Sequence, residues 1–149
     1  MGNSKGMVDV GDKDITARIA KAQGTITLGG DAFAVVKGGT CIKGDVLATA
    51  KIAAIQAVKS TPSIIPLCHS ILIEAVGIEF ALNDEDRSVS ITVTVKSSGK
   101  TGVEMEALTG TAAGCLTIYD MLKYTGKAMT IDQIKLLEKA GGKSGDYKR

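Results

Sequence analysis

The chain has 149 residues, enough for one domain with a core that needs no covalent staples. Hydrophobic residues make up 44% and charged residues 23%, the balance of a soluble globular protein. A formal charge of +2 excludes the broad basic field of a nucleic-acid binder, and 3% aromatics with no Trp exclude a base-stacking platform. Cys41, Cys68 and Cys115 are far apart and form no CxxC pair, so neither a zinc knuckle nor a disulfide framework is indicated. Free thiols fit a reducing, cytoplasmic location. MGNSKGMVDV has no apolar signal region, carries Gly6 where myristoylation requires Ser or Thr, and no later apolar run reaches membrane-spanning length.

In chain order, residues 1–14 are polar and rich in Gly and Asp, which predicts a flexible arm on a single domain, 1–149. Glycines at 24, 29, 30, 38 and 39 surround a short apolar segment, predicting a short strand and a short helix within 24–39. Asp45 is placed to cap a following Ala-rich helix, VLATAKIAAIQAVK, which Pro62 and Pro66 are expected to close. Ile71–Leu82 is strand-like. Arg87–Lys96 alternates Val89, Ile91, Val93 and Val95 with Ser88, Ser90, Thr92 and Thr94, as a half-buried antiparallel strand does. Asn83–Asp86 joins the two as a hairpin loop. The next helix, within 103–124, is expected to bury a stripe of Leu108, Ala112, Cys115, Tyr119 and Leu122. A last strand, Ile131–Glu138, leads into a Gly-rich tail. The order predicts an α+β fold, with helices packed on one face of an antiparallel sheet.

Several groupings carry possible chemistry. Gly99-Lys100-Thr101-Gly102 and Gly142-Lys143-Ser144-Gly145 resemble half of a nucleotide-binding loop, but Thr94 and Leu137 stand where the leading glycine is required. They read equally as polar turns. Lys51 and Lys59 are eight residues apart, on one helix face, and serve either as solvated charge or as part of a phosphate clamp. His69, the one histidine, follows Leu67 and Cys68 at a junction between a Pro-rich link and a strand, where sites are often built; the pair Cys68-His69 is too little for a metal. Glu104 and Glu106 point together if extended and apart if helical. Asp120 and Lys123 lie one helical turn apart, so an acid and a base share a face, either as an exposed ion pair or as proton-transfer groups on a rigid support. Ala113, Leu116 and Thr117 on that face are small or apolar enough to floor a pocket.

Taken together, Met7–Val10 (MVDV), Lys43–Thr61, Ile65–His69 (IPLCH), Lys100–Thr109 (KTGVEMEALT), Leu116–Lys123 (LTIYDMLK) and Leu136–Asp146 resemble the MoaC family of molybdenum cofactor biosynthesis, the cyclic pyranopterin monophosphate synthases. The resemblance implies a ferredoxin-like fold and a hexamer built as a trimer of dimers, with the pocket at a subunit interface. It implies a lyase that converts (8S)-3′,8-cyclo-7,8-dihydroguanosine 5′-triphosphate, supplied by a radical-SAM GTP cyclase, into cyclic pyranopterin monophosphate and diphosphate, with no cofactor and no metal. By the same resemblance Asp120, Lys123 and Lys43 are catalytic. Leu67, Cys68, His69, Glu104, Met105, Glu106, Lys59 and Lys139 bind substrate. The chain departs from the family pattern at Lys51, where Arg is frequent, at Ala140, where Ser is usual, and at Gly114. Clustered lysines depress one another's pKa, so one of them is expected to act as a base near neutrality. The rival reading is a non-catalytic polyphosphate-binding module, which needs the Lys and Gly turns but not Asp120.

Overall fold

The computed structural model describes residues 5–149. Nine elements follow one another: strand β1 (Thr16–Thr27), helices α1 (Gly30–Gly38) and α2 (Val46–Ile64), strands β2 (Ile73–Asn83) and β3 (Ser88–Gly99), helix α3 (Glu104–Leu122), a 3-10 turn (Lys123–Thr125), and strands β4 (Thr130–Ala140) and β5 (Tyr147–Lys148). The strands form one sheet in the order β2-β3-β1-β4-β5, every neighbouring pair antiparallel. The first four strands with α2 and α3 have the ferredoxin-like βαββαβ arrangement, and the helices lie against one face.

Alternation on β3 is as the sequence predicts. Val89, Ile91, Val93 and Val95 are fully buried, while Ser90, Thr92 and Thr94 face the half-open side. There they meet polar residues of β1: Gln23 Nε2 donates to Thr92 Oγ1 at 3.0 Å, and the Thr25 and Ser90 hydroxyls are 3.1 Å apart. The first strand begins eight residues earlier than the short strand expected within 24–39. Its inward side is Arg18, Ala20, Ala22, Gly24 and Ile26. Small side chains there let α3 approach: a Cβ on Gly24 would fall 2.8 Å from Thr111 Cγ2.

Two further expectations are corrected. Pro62 does not close α2, which continues to Ile64. A proline in the last turn forfeits one hydrogen bond, and Ile65 N still reaches Thr61 O at 2.9 Å. On α3 the buried side is Ala107, Gly110, Thr111, Gly114, Cys115, Ile118 and Leu122, whereas Leu108, Ala112 and Tyr119 of the expected stripe are only half-buried. The buried face is turned from the predicted one because close helix contact selects the smallest side chains, not the largest.

The two long helices run antiparallel and touch closely. A Cβ on Gly110 would meet Val58 Cγ2 at 2.7 Å and Ala54 O at 3.2 Å; one on Gly114 would stand 3.7 Å from Ala54 Cβ of α2 and 2.3 Å from Ile91 Cδ1 of β3 beneath it. Asp45 caps α2 as predicted, accepting from Ala48 N at 2.9 Å. The start of α2 therefore lies beside the end of α3, and the Pro-rich link after α2 lies beside the start of α3. Gly110→Val is expected to lower stability by about 1–3 kcal/mol through overpacking. The check is the midpoint of chemical unfolding, and an unchanged midpoint would contradict the close contact.

Candidate functional site

Two groups of the sequence-predicted residues assemble, at opposite ends of α3. At its C-terminal end Lys123 Nζ lies 2.8 Å from Asp120 Oδ1, and Lys43 Nζ lies 3.6 Å from Asp120 Oδ2. Lys43 Nζ also donates to the main-chain oxygen of Asp120 at 2.9 Å. Both cations face the negative end of the helix dipole, so part of their work is to cap the helix. Lys43 is brought in by the 39–45 loop between α1 and α2, where Gly44 takes a φ of 116°.

The lysine hydrogen bond and charge of Lys123, followed by the charge of Lys43, hold the Asp120 carboxyl below its usual 3.8. The carboxylate in turn raises Lys123 above its usual 10.5. The expected depression by neighbouring lysines is not found at Lys123, because an anion sits between the cations. Unliganded, the group is a carboxylate with a protonated Lys123. All three side chains remain open to solvent, Asp120 with 59% of its surface exposed. They are free to exchange their contacts for a substrate.

At the N-terminal end of α3, Leu67, Cys68, His69, Glu104, Met105 and Glu106 line one cavity of about 330 Å³, with Val8, Val10 and Lys13 of the N-terminal segment across from them. The helical alternative for Glu104 and Glu106 is the one observed, and they diverge as that requires. Glu104 folds back over Gly102, while Glu106 is buried. Burial, opposed by its own backbone hydrogen bond and reinforced by the charge of Glu104, raises the Glu106 carboxyl above its usual 4.5. Burial likewise raises the Cys68 thiol, with Glu106 adding to it. His69 Nε2 is 2.6 Å from Val8 O, and because a carbonyl only accepts, that nitrogen carries the hydrogen. Lys100 Nζ donates to Gly11 O at 2.8 Å. The segment beginning at Val8 is thereby tied down over the cavity by two side chains. Residues 1–4 of the predicted arm lie outside the described residues.

Lys13 also lines a neighbouring depression of about 190 Å³ with Asp14, Thr16, Arg18, Gly142 and Lys143. Arg18 was not singled out by the sequence. Its guanidinium is buried, donates only long bonds to Gly99 O (3.3 Å) and Gly141 O (3.4 Å), and among the described residues has no carboxylate partner. Gly141 and Gly142 have φ of 97° and 88°, and a Cβ on Gly142 would fall 1.8 Å from Arg18 Nη1. A fixed cation against bare backbone, with Lys13 and Lys143 beside it and Asp14 as the one carboxylate in the lining, leaves the depression net positive and suits an anionic group. The available signal was one Arg on the small-residue side of β1. The turns at 99–102 and 142–145 thus flank one end of the molecule.

Lys139 is on β4 and donates to Ser144 Oγ, at the edge of the Gly-rich loop. Lys59 is exposed on α2, one residue past Val58, which touches Gly110. Lys51 is exposed on the same helix. From Glu104 to Asp120 α3 rises about 24 Å, at about 1.5 Å per residue. One chain therefore does not bring Asp120, Lys123 and Lys43 to His69 and Glu106.

Among the described residues no group of three or more His, Cys, Asp or Glu is arranged to hold a metal ion, and no helix is long and apolar enough to cross a membrane. All three cysteines are free, and burial lifts the Cys115 thiol to about 11.

Glu106 supplies a test with a definite sign. A carboxyl raised on folding favours the native state below its unfolded value and loses that contribution as pH rises through the folded value. Glu106→Gln is expected to raise the thermal midpoint at pH 7–8 and to make little difference at pH 4, measured by calorimetry. An equal effect at both pH values would contradict an ionisation burdened by burial. At the other end, carboxyl NMR should show the Asp120 titration moving up more for Lys123→Met than for Lys43→Met.

Against this geometry stands one finding from sequence comparison. The sequence model of the MoaC family matches residues 7–142, nearly the whole chain and all the residues placed above except Lys143 and Ser144. The chain belongs to the MoaC family, and with it to the enzymes of molybdenum cofactor biosynthesis.

Proposed function

We propose that the protein is a cyclic pyranopterin monophosphate synthase, a lyase that rearranges (8S)-3′,8-cyclo-7,8-dihydroguanosine 5′-triphosphate into cyclic pyranopterin monophosphate and releases diphosphate. The observation that carries the reading is the split of the candidate residues between the two ends of α3. Each end is open, and neither alone has all the groups the reaction calls for. Two copies that bring one copy's Asp120 end to another copy's His69 end complete a single cavity. The dimer-built hexamer expected of the family provides such a meeting. The exposed outer side of the helices, with Ile52 57% and Leu116 60% exposed, favours contact between copies.

The division of work follows from the chemistry at each end. The depression at Lys13, Arg18 and Lys143 receives the triphosphate, with Lys59 and Lys139 as further cations, and steadies the departing diphosphate. Glu104 and Glu106 take the guanine-derived N–H edge. The raised carboxyl of Glu106 is able to hold a proton beside it. Leu67, Cys68 and Met105 supply the apolar wall, and His69 donates from Nε2 once Val8 O gives way. Ring opening, ring closure and cyclic phosphate formation each move protons. Asp120 enters ionised and accepts one; Lys123 enters protonated and donates one; Lys43 balances the carboxylate as charge shifts. No cofactor or metal is called for by these steps. The reading places the protein in the cytoplasm, next after a radical-SAM GTP cyclase.

Purified protein supplied with the cyclised nucleotide is expected to release product and diphosphate. Asp120→Ala and Lys123→Ala should each lose roughly 10²–10⁴-fold in turnover with an unchanged circular dichroism spectrum. Nucleotide binding with no turnover in the wild type would favour the polyphosphate-binding module instead. Mixing unfolded Asp120→Ala and His69→Ala chains and refolding them together should restore activity that neither has alone. Absence of restoration, with mixed oligomers verified by mass spectrometry, would contradict a cavity shared between copies.

A further inference from the structure

We propose that Tyr124 is a positioning residue that holds the 41–43 loop against the end of α3 and so aims Lys43 at Asp120; its catalytic consequence rests on the function proposed above. Three consecutive loop residues make contact with that helix end. Cys41 Sγ donates to Met121 O at 3.4 Å, Ile42 N donates to the Tyr124 hydroxyl at 3.2 Å, and Lys43 Nζ donates to Asp120 O at 2.9 Å. The first is a weak thiol bond, and the third belongs to the group being positioned. Ile42 is 76% exposed, so packing does not hold the middle of the loop. The Gly39 and Gly44 positive-φ positions on either side give the segment backbone freedom. Among the described residues the Tyr124 hydroxyl is the one side-chain group that ties the loop's main chain to the end of α3.

Tyr124 is 42% exposed, but the turn that carries it is held by hydrogen bonds. It stands in the 3-10 turn that follows α3, where Gly126 N donates to Lys123 O at 3.3 Å and Thr125 Oγ1 donates to Leu122 O at 2.8 Å. The preceding turn is fixed by the Tyr119 hydroxyl, which donates to Lys127 O at 2.8 Å. A rigid turn thus presents a hydroxyl acceptor to a compliant loop. Lys43 has a four-carbon side chain with many rotamers, and fixing its backbone narrows the volume its ammonium explores.

The test is Tyr124→Phe, which keeps the ring and removes only the acceptor. Turnover is expected to fall about tenfold, the scale of one lost hydrogen bond, with KM within about twofold because substrate contacts are untouched. Thr25→Val removes a hydroxyl that pairs with Ser90 on the open face of the sheet, away from the loop and its supporting turn, and should leave kcat as it is. A second readout does not depend on the reaction. Acylation of Lys43 by an amine-reactive ester at fixed pH, followed by peptide mass spectrometry against Lys51 and Lys127 as internal references, should be several-fold faster in Tyr124→Phe. Wild-type labelling of Lys43 in that variant would overturn the proposal. So would equal losses of kcat in Tyr124→Phe and Thr25→Val. Faster labelling in a protein that turns nothing over would support the positioning and count against the enzymatic reading.

Discussion

The close antiparallel contact between α2 and α3 governs the rest of the molecule. Gly110 lies over Val58 and Ala54 of α2 at separations that leave no space for a Cβ, while Gly114 lies over Ala54 and is pressed as closely onto Ile91 of β3 beneath the helix pair. Interhelical distance is set by the side chains at the contact, and small ones allow the helices to approach nearly backbone to backbone. The same contact fixes the register between the two helices. Register decides which loops meet: the 39–45 loop comes to the end of α3, and the 65–69 link comes to its start. Chemistry at either end follows from a contact made of small side chains and bare backbone.

That arrangement uses the helix in two opposite ways. At its C-terminal end the partial negative charge favours cations, and Lys43 donates directly to a helix carbonyl. Asp120 between two ammonium groups stays ionised. At the N-terminal end the dipole favours anions, yet Glu106 is buried there, and desolvation raises its carboxyl. One helix thus presents an ionised carboxylate at one end and a reluctant one at the other. Two carboxyls whose surroundings push them in opposite directions are suited to opposite proton-transfer roles.

Much of this was legible in the amino-acid order, and the omissions have physical causes. The period-two pattern of Val89–Val95 gave an unambiguous strand because β-branched residues alternate with Ser and Thr. The strand through Ala20, Ala22 and Gly24 carried the same period, but its inward side chains are nearly absent, since the helices come so close. Arg18 belongs to that strand, and a lone Arg beside small residues carries no local signal of a site. The buried face of α3 departs from the predicted one for the same reason: Gly110 and Gly114 mark the contact, while the larger Leu108 and Tyr119 stand beside it, half-buried. The pairing of Asp120 with Lys123 follows from helical spacing alone. Lys43 is 77 residues from Asp120, and its arrival there is a matter of tertiary register. The separation of the two residue groups by the length of α3 also lay beyond local spacing, because it depends on which loops the helix pair brings to each end.

The central claim is that one cavity is assembled from the Asp120 end of one copy and the His69 end of another. The most direct measurement is a crystal structure of the oligomer with the cyclised guanosine triphosphate bound to the inactive Asp120→Asn protein. The account predicts one ligand touched by position 120 and Lys43 of one copy and by His69 and Glu106 of a second, with its phosphates toward Arg18. A ligand held entirely by residues from one end of a single chain, with the other end facing solvent, would contradict it.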